Sequence, residues 1–91
     1  MMTDFEQEVI DACNTIIEVL KAAATVLQNK LKAAEGLQER KRVKSLLSDC
    51  AWAALAASHL ITRAQLGAPQ EELENKLKKL RRKMTFIGFA I

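Results

Sequence analysis

Apolar residues recur at alternating intervals of three and four positions along the first third of the chain, and no other feature limits the fold as strongly. The central row of this pattern is Val9, Cys13, Ile16, Leu20, Ala23 and Leu27, with Ala34 seven positions further on. An α-helix turns once in about 3.6 residues, so this spacing places the side chains on one helical face. The sequence therefore predicts a first helix over about residues 4–35. It begins with a capping box between Thr3 and Glu6.

Two flanking rows widen this apolar face beyond what a single neighbouring helix can cover. One row consists of Ile10, Ile17, Ala24 and Leu31. The other consists of Ala12, Val19, Val26 and Ala33. We therefore expect helix 1 to lie in a bundle. We also predict a homodimer or a constitutive hetero-complex that covers the rest of the face.

Glycine and proline divide the remainder of the chain into two further helices. Gly36 marks the end of helix 1, because glycine commonly follows the last turn of a helix. Gly67 ends the second helix in the same way, and the proline two positions later suits the start of a third. Helix 2 is predicted over about residues 38–66 and helix 3 over about 69–84, followed by an apolar tail at 85–91.

The composition also favours an all-α fold, because alanine and leucine are abundant and the chain has only four aromatic residues and one proline. We predict a single helical domain over residues 1–91. Helices 1 and 2 form an antiparallel hairpin, helix 3 is added as a third, C-terminal helix, and this three-helix unit assembles into a larger bundle. A start of helix 2 nearer Ser45 or Ser48 is the alternative, because the basic residues before them are disfavoured in a first helical turn.

The first residues, the longest uncharged stretch and the two cysteines indicate the cellular compartment. The first residues are acidic and lack the apolar run of a secretory signal, and the uncharged stretch 50–62 is too short to cross a bilayer. Cys13 and Cys50 lie far apart in apolar contexts, where we expect two buried free thiols. A disulfide would need an oxidising compartment, which no other feature indicates. We therefore expect a cytoplasmic protein.

Residues suited to catalysis or metal binding are few. His59 is the only histidine. Cys50 lies nine positions before it, a spacing that points the two side chains to opposite sides of a helix. Cys13, Cys50 and His59 lack the spacings of zinc ligands, and no glycine-rich phosphate loop occurs. We therefore expect no enzymatic activity, no metal and no cofactor.

A run of bases in helix 3 is the first candidate binding surface. It consists of Lys76, Lys78, Lys79, Arg81, Arg82 and Lys83. One interpretation is the solvated face of an amphipathic helix. The others are a contact with a phosphate-rich partner, an anionic membrane surface or an acidic protein groove. No aromatic residue interrupts the run, although aromatic residues between the bases would favour single-stranded nucleic acid.

Trp52 is the second candidate, because it lies away from the main apolar stripe of helix 2, on a line with Ala56 and His59. A tryptophan in that position needs cover, and tryptophan is enriched at binding hot spots. Either a partner covers it, or helix 3 or the tail covers it within the same chain.

The third candidate is the end of the chain. The tail carries Phe86 and Phe89, which either fold back on the helices or dock on a second subunit, a partner or a membrane. Before the tail, helix 3 has a narrow coiled-coil-like seam, which we include in the partner-binding surface: Leu73, Leu77, Leu80 and Met84.

The charges are unevenly distributed along the chain. Residues 1–37 carry six acids and three lysines (net −3), and residues 38–91 carry eleven bases and five acids (net +6). Halves of opposite charge attract each other, either within one chain or head-to-tail between chains. This distribution favours assembly.

For function, the leading hypothesis is a small non-enzymatic protein–protein interaction module that acts through helix packing. It would be a chaperone, adaptor or inhibitor of bacterial or phage origin, and its partner would be another protein or a second copy of the chain. One alternative is a nucleic-acid-binding regulator that uses the bases of 76–83. Another is a membrane-surface protein anchored by 76–91.

Overall fold

The computed structural model describes residues 2–91 as three α-helices joined by short turns: α1 is Asp4–Ala33, α2 is Leu37–Gln65 and α3 is Gln70–Ala90. No strand occurs in this part of the chain. The prediction of an all-α, three-helix unit is confirmed. Helices α1 and α2 form an antiparallel hairpin, and α3 runs back along α2. Because the helices lie side by side, the molecule is a rod of 52 × 18 × 17 Å.

Local signals in the sequence determine where α1 begins and where the chain turns. Thr3 Oγ1 accepts a hydrogen bond from the Glu6 amide (3.1 Å), and the Thr3 amide donates to the Glu6 carboxylate (2.8 Å). This is the predicted capping box. Gly67 follows the last turn of α2 as predicted, but Gly36 does not directly follow α1, because that helix ends at Ala33 and Gly36 is the residue before α2. In the two turns, Gly36 has a φ of +85° and Gly67 a φ of +78°. Glycine adopts this left-handed conformation without the strain that a Cβ would introduce.

The first turns of α2 are helical although they are rich in bases. The helix begins at Leu37, so the alternative start nearer Ser45 or Ser48 is wrong. Glu39 offsets the bases, because Arg42 donates hydrogen bonds of 2.8 and 3.1 Å to its carboxylate. These bonds lower the pKa of Glu39 and keep it ionised in the first turn, where a negative charge suits the helix dipole.

The core runs along the hairpin, where α1 and α2 face each other, and α3 closes it on one side. Helix α1 packs more extensively on α2 than on α3. Cys13 and Cys50 are free thiols buried in this core, as predicted. The largest fully buried side chains are Leu20, Leu27, Leu60, Leu73, Val9, Val43 and Cys13.

The broad apolar face of α1 is covered on one side only. In the flanking row that begins at Ile10, Ile10 itself is buried, and Ile17 and Leu31 are half-buried against the core. In the other row, Val19 and Val26 each keep about half of their surface exposed. The second chain or partner expected to cover that row, and with it the larger bundle, stays a prediction.

Helix α3 corrects one predicted boundary. The expected end near residue 84 and the separate tail at 85–91 are wrong, because α3 continues to Ala90. Ile87 is buried, and it extends the helix's apolar stripe into the core. Two cations from the hairpin hold the end of α3: Lys30 Nζ donates to the carbonyl of Ile91 (2.7 Å), and Arg42 Nη1 donates to that of Ala90 (2.9 Å). Cations at this position complement the helix dipole.

Candidate partner-binding groove

A groove of about 370 Å³ runs between α2 and α3 on the outside of the bundle. Its floor is apolar and is built by Ala53, Leu60 and Leu80, all of which also belong to the core. The α2 side carries Trp52, Ala56 and His59. The α3 side carries Lys76, Lys79 and Lys83. An apolar floor between an aromatic wall and a cationic wall is an amphipathic binding surface.

Small residues and helical spacing form this groove. Ala53 and Ala56 have no side chain beyond Cβ, so the surface of α2 is low where α3 passes beside it. On α3, positions 76, 79 and 83 are three and four residues apart and therefore line one side of that helix. The same spacing rule places Trp52, Ala56 and His59 together on α2, as the sequence predicted.

Two ion pairs between α2 and α3 hold the walls of the groove in register. Arg63 donates hydrogen bonds of 3.0 and 3.1 Å to the carboxylate of Glu72. Near the other end, Lys83 Nζ lies 3.3 Å from Asp49 Oδ1. The lining residues of α2 run from Trp52 to Leu60, so the groove is about 12 Å long, at 1.5 Å per helical residue.

Trp52 is 66% exposed. The possibility that α3 or the last residues cover it within the chain is therefore wrong. An indole ring presents a large apolar surface together with one N–H donor, and for this reason tryptophan is common at protein interfaces. Its position at the wall of an apolar groove makes Trp52 the most prominent candidate contact residue.

The cations of the groove are unevenly paired. Lys83 forms an ion pair with Asp49, and its Nζ also lies 5.5 Å from the centre of the Phe86 ring, within the range of a cation–π contact. Lys76 and Lys79 have no acidic partner within 4 Å among residues 2–91. The groove therefore has a net positive rim, in which Lys76 and Lys79 are the cations that no acidic side chain of the described chain pairs.

Phe86 and Phe89 are 58% and 88% exposed on α3. The expectation that they fold back on the chain's own helices is wrong for both, since only Ile87 between them is buried. Phe86 adjoins the groove through its contact with Lys83. Phe89 lies one turn further along α3 and does not line the groove.

The predicted leucine seam has a different role from the one expected. Leu73, Leu77 and Leu80 are 0%, 8% and 5% exposed and belong to the core, and Met84 is half-buried against it. These residues hold α3 on the hairpin, so they are not available to a partner. Leu80 alone also contributes to the groove, as part of its floor.

The basic run of α3 is divided between two sides of the helix. Lys76, Lys79 and Lys83 line the groove beside α2. The other three bases line a second cleft together with Phe5, near the start of α1: Lys78, Arg81 and Arg82. A single cationic face over 76–83 therefore does not form. The sequence did not reveal this division, because it depends on which side of α3 meets α2.

The thiols are poorly suited to nucleophilic chemistry. Burial raises the pKa of Cys13, with a smaller opposing effect from Arg81. Burial likewise raises the pKa of Cys50, and the nearby Asp49 adds to the shift. A raised pKa leaves the thiol protonated at neutral pH, and the thiolate is the reactive and metal-binding form. Within residues 2–91, no three histidine, cysteine or acidic side chains are grouped closely enough to hold a metal ion.

Comparison of the chain with protein-family models, with curated proteins and with solved structures gives no match. The class of protein defined by the fold is a helical bundle with an open groove.

Proposed function

We propose that this chain is a small non-enzymatic protein–protein interaction module that binds its partner in the groove between α2 and α3. The observation that carries the proposal is Trp52, which lies 66% exposed on the wall of a groove with an apolar floor. Covering a large aromatic side chain in this way supplies about 2 kcal/mol or more at a typical hot spot. An adaptor, a chaperone or an inhibitor would each use such a surface.

The apolar core is already buried while the groove is open, and this supports the proposal that the groove serves binding. Trp52 is far more exposed than the core residues beside it, and those residues are buried without help from a second chain. Both cysteines are free and buried, which suits a reducing compartment such as the cytoplasm. We therefore place the activity of the module there.

A membrane-surface function is the second candidate, and the 88% exposure of Phe89 favours it. None of the three helices described in residues 2–91 is long and apolar enough to cross a bilayer. Contact with a membrane surface would need only the exposed phenylalanine side chains and neighbouring bases such as Arg82. The nucleic-acid hypothesis has less support, because the six bases of α3 do not share one face.

The test is affinity capture of the partner from the native host with the wild-type chain and with Trp52→Ala. We expect the variant to remain folded and to lose the partner. Leu37→Ala is the matched control, because it also shortens an exposed apolar side chain but lies at the start of α2, outside both the groove and the open row of α1. Equal capture by Trp52→Ala and the wild type would contradict the proposal.

Light scattering tests the predicted homodimer or hetero-complex separately. If the chain is a homodimer through the groove, Trp52→Ala shifts it to monomer at micromolar concentration and Val26→Ala does not. If the dimer forms instead through the open row of α1, the effects of the two substitutions are reversed.

A further inference from the structure

We infer that the occupant of the groove is an amphipathic helix of another protein, with a narrow apolar stripe and acidic residues beside it. The inference rests on the proposed function and names the chemistry of the partner. It follows from the shape of the groove, the arrangement of its cations and the absence of neutralising acids.

The shape favours a helix. Two packed antiparallel helices leave between them a straight groove parallel to their axes, and the ridge of a third helix fits such a groove. The floor at Ala53 is low enough for a close approach, and the groove lining extends about 12 Å along α2, at 1.5 Å per residue. That length accommodates about two helical turns. Docking there would add a fourth helix to the bundle.

The charges select an acidic partner. Lys76, Lys79 and Lys83 follow one another at intervals of three and four along the same side of α3. Acidic residues at the same intervals on a neighbouring helix would meet them in turn. The groove lining contains no acidic residue, and the nearby Asp49 and Glu72 are already engaged by Lys83 and Arg63. An amphipathic helix with basic flanks would meet only like charges.

The other anionic partners fit this groove less well. A nucleic acid would bring phosphates to the lysines but has only its bases to place on the apolar floor, and the lining offers just two rings for stacking, those of Trp52 and His59. A membrane surface cannot enter a groove between two helices. It would instead meet Phe89, which is 88% exposed and lies outside the groove.

The experiment uses the full chain and the fluorescence of Trp52, its only tryptophan in a sequence without tyrosine. The probe is a helical peptide with leucines at positions i, i+3, i+4 and i+7 and glutamates flanking them. We expect it to shift the emission of Trp52 to shorter wavelength and to protect the ring from iodide quenching. A peptide with lysines in place of the glutamates, and a scrambled acidic peptide with no apolar face, should have no such effect.

Charge reversal locates the contact. Lys76→Glu with Lys79→Glu should weaken binding of the acidic peptide by about tenfold or more, because like charges then face each other. The same variant should gain affinity for the lysine-flanked peptide. The matched control is Lys78→Glu with Arg82→Glu, which changes the net charge equally on the same helix but outside the groove. Its affinity for the acidic peptide should change by no more than about threefold, through long-range attraction alone.

Three results would overturn the inference. The first is equal binding of the acidic and the lysine-flanked peptides. The second is equal weakening by the two charge reversals. The third is a shift of Trp52 emission that depends on chain concentration, on vesicles with anionic lipid or on an oligonucleotide, with no response to the acidic peptide. If Trp52→Ala abolishes capture of the native partner while the acidic peptide fails to bind, only the chemistry assigned to the partner is wrong. If Trp52→Ala leaves that capture intact, the proposed function is wrong as well.

Discussion

Helix α2 has two neighbours, and it packs against them in different ways. The contact with α1 is the more extensive one, and no ion pair joins these two helices within residues 2–91. The contact with α3 is less extensive, two ion pairs join the helices there, and an open groove lies beside the contact. The first arrangement gives the chain its stability. The second leaves a surface that is exposed, charged and aromatic, and we propose that a partner binds there.

The largest expected effect is that the buried core of the hairpin excludes chemical reagents, whereas the groove is open to them. Cys13 and Cys50 are buried, and burial raises the pKa of both thiols, so alkylation needs the core to open. Since opening of a stable core costs about 5 kcal/mol or more, we expect iodoacetamide to label them at least a thousandfold more slowly than in the unfolded chain. Mass spectrometry with and without urea measures this. Rapid labelling of either thiol in the native protein would show that the hairpin core is loose.

The same thiols should make the stability of the protein depend on pH in the alkaline range. Their pKa in the folded state lies above the ordinary value of 9.0, so the unfolded chain loses these protons first as the pH rises. The stability is therefore fully present below pH 9 and declines as the pH rises above it. Urea unfolding at successive pH values checks the sign. The decline should be smaller in the variant Cys13→Ala than in the wild type.

Truncation of a core side chain should destabilise the hairpin strongly. Leu27 is completely buried, so Leu27→Ala should lower the free energy of unfolding by about 2–5 kcal/mol through lost burial and the cavity that remains. Its neighbour Val26 is half exposed, and Val26→Ala should cost about 0.5 kcal/mol or less. Urea unfolding of the two variants compares them directly. Similar losses would indicate that a second chain covers Val26, as the width of the α1 face predicts.

Replacing two of the glycines by alanine should change the stability by smaller amounts and in opposite directions. Gly36 has a φ of +85°, so Gly36→Ala should destabilise the hairpin by about 1–2 kcal/mol. Gly88 lies inside α3, and a Cβ there meets no atom within 4 Å. Gly88→Ala should therefore stabilise the protein by about 0.5–1 kcal/mol. Thermal unfolding measures both, and a loss of stability in Gly88→Ala would contradict the extension of α3 to Ala90.

The smallest effect is expected at the contact between α2 and α3. Arg63 and Glu72 are about one-third exposed, so Glu72→Gln should cost about 0.5–1 kcal/mol at low salt and less at high salt, where the pair is screened. Chemical unfolding at two ionic strengths separates these values. Glu74→Gln is the control, because Glu74 lies on the same helix and forms no ion pair within residues 2–91. Equal effects of the two substitutions would show that the pair does not hold α3 in place.

These contrasts also explain how much could be predicted from the sequence. The ends of α1 and α2 were predicted to within two residues, because a capping box and two glycines act over a few positions. The end of α3 was not, because the uncharged segment after Met84 resembles a tail. Its helical conformation depends on Ile87 reaching a core formed by distant residues.

The candidate surface was predicted in part. The angular position of Trp52 on α2 was sufficient to predict that it lies off the core, and the structure leaves it exposed. The exclusion of Leu73 and Leu77 from the surface could not be predicted, because an apolar stripe on an isolated helix fits its own core and a partner equally well. The sequence also could not show that Lys79 lines the groove while Lys78 lines the second cleft, because this depends on how α3 is rotated against α2.

The central claim is that Trp52 serves binding and contributes little to folding. The most direct measurement compares Trp52→Ala with the wild type in two respects, the free energy of unfolding in urea and the affinity for the captured partner. We predict a loss of stability of about 0.5 kcal/mol or less, as for an exposed surface position, and a loss of affinity of about thirtyfold or more. A loss of stability of about 3 kcal/mol, as for a buried aromatic residue, with unchanged affinity would contradict the claim.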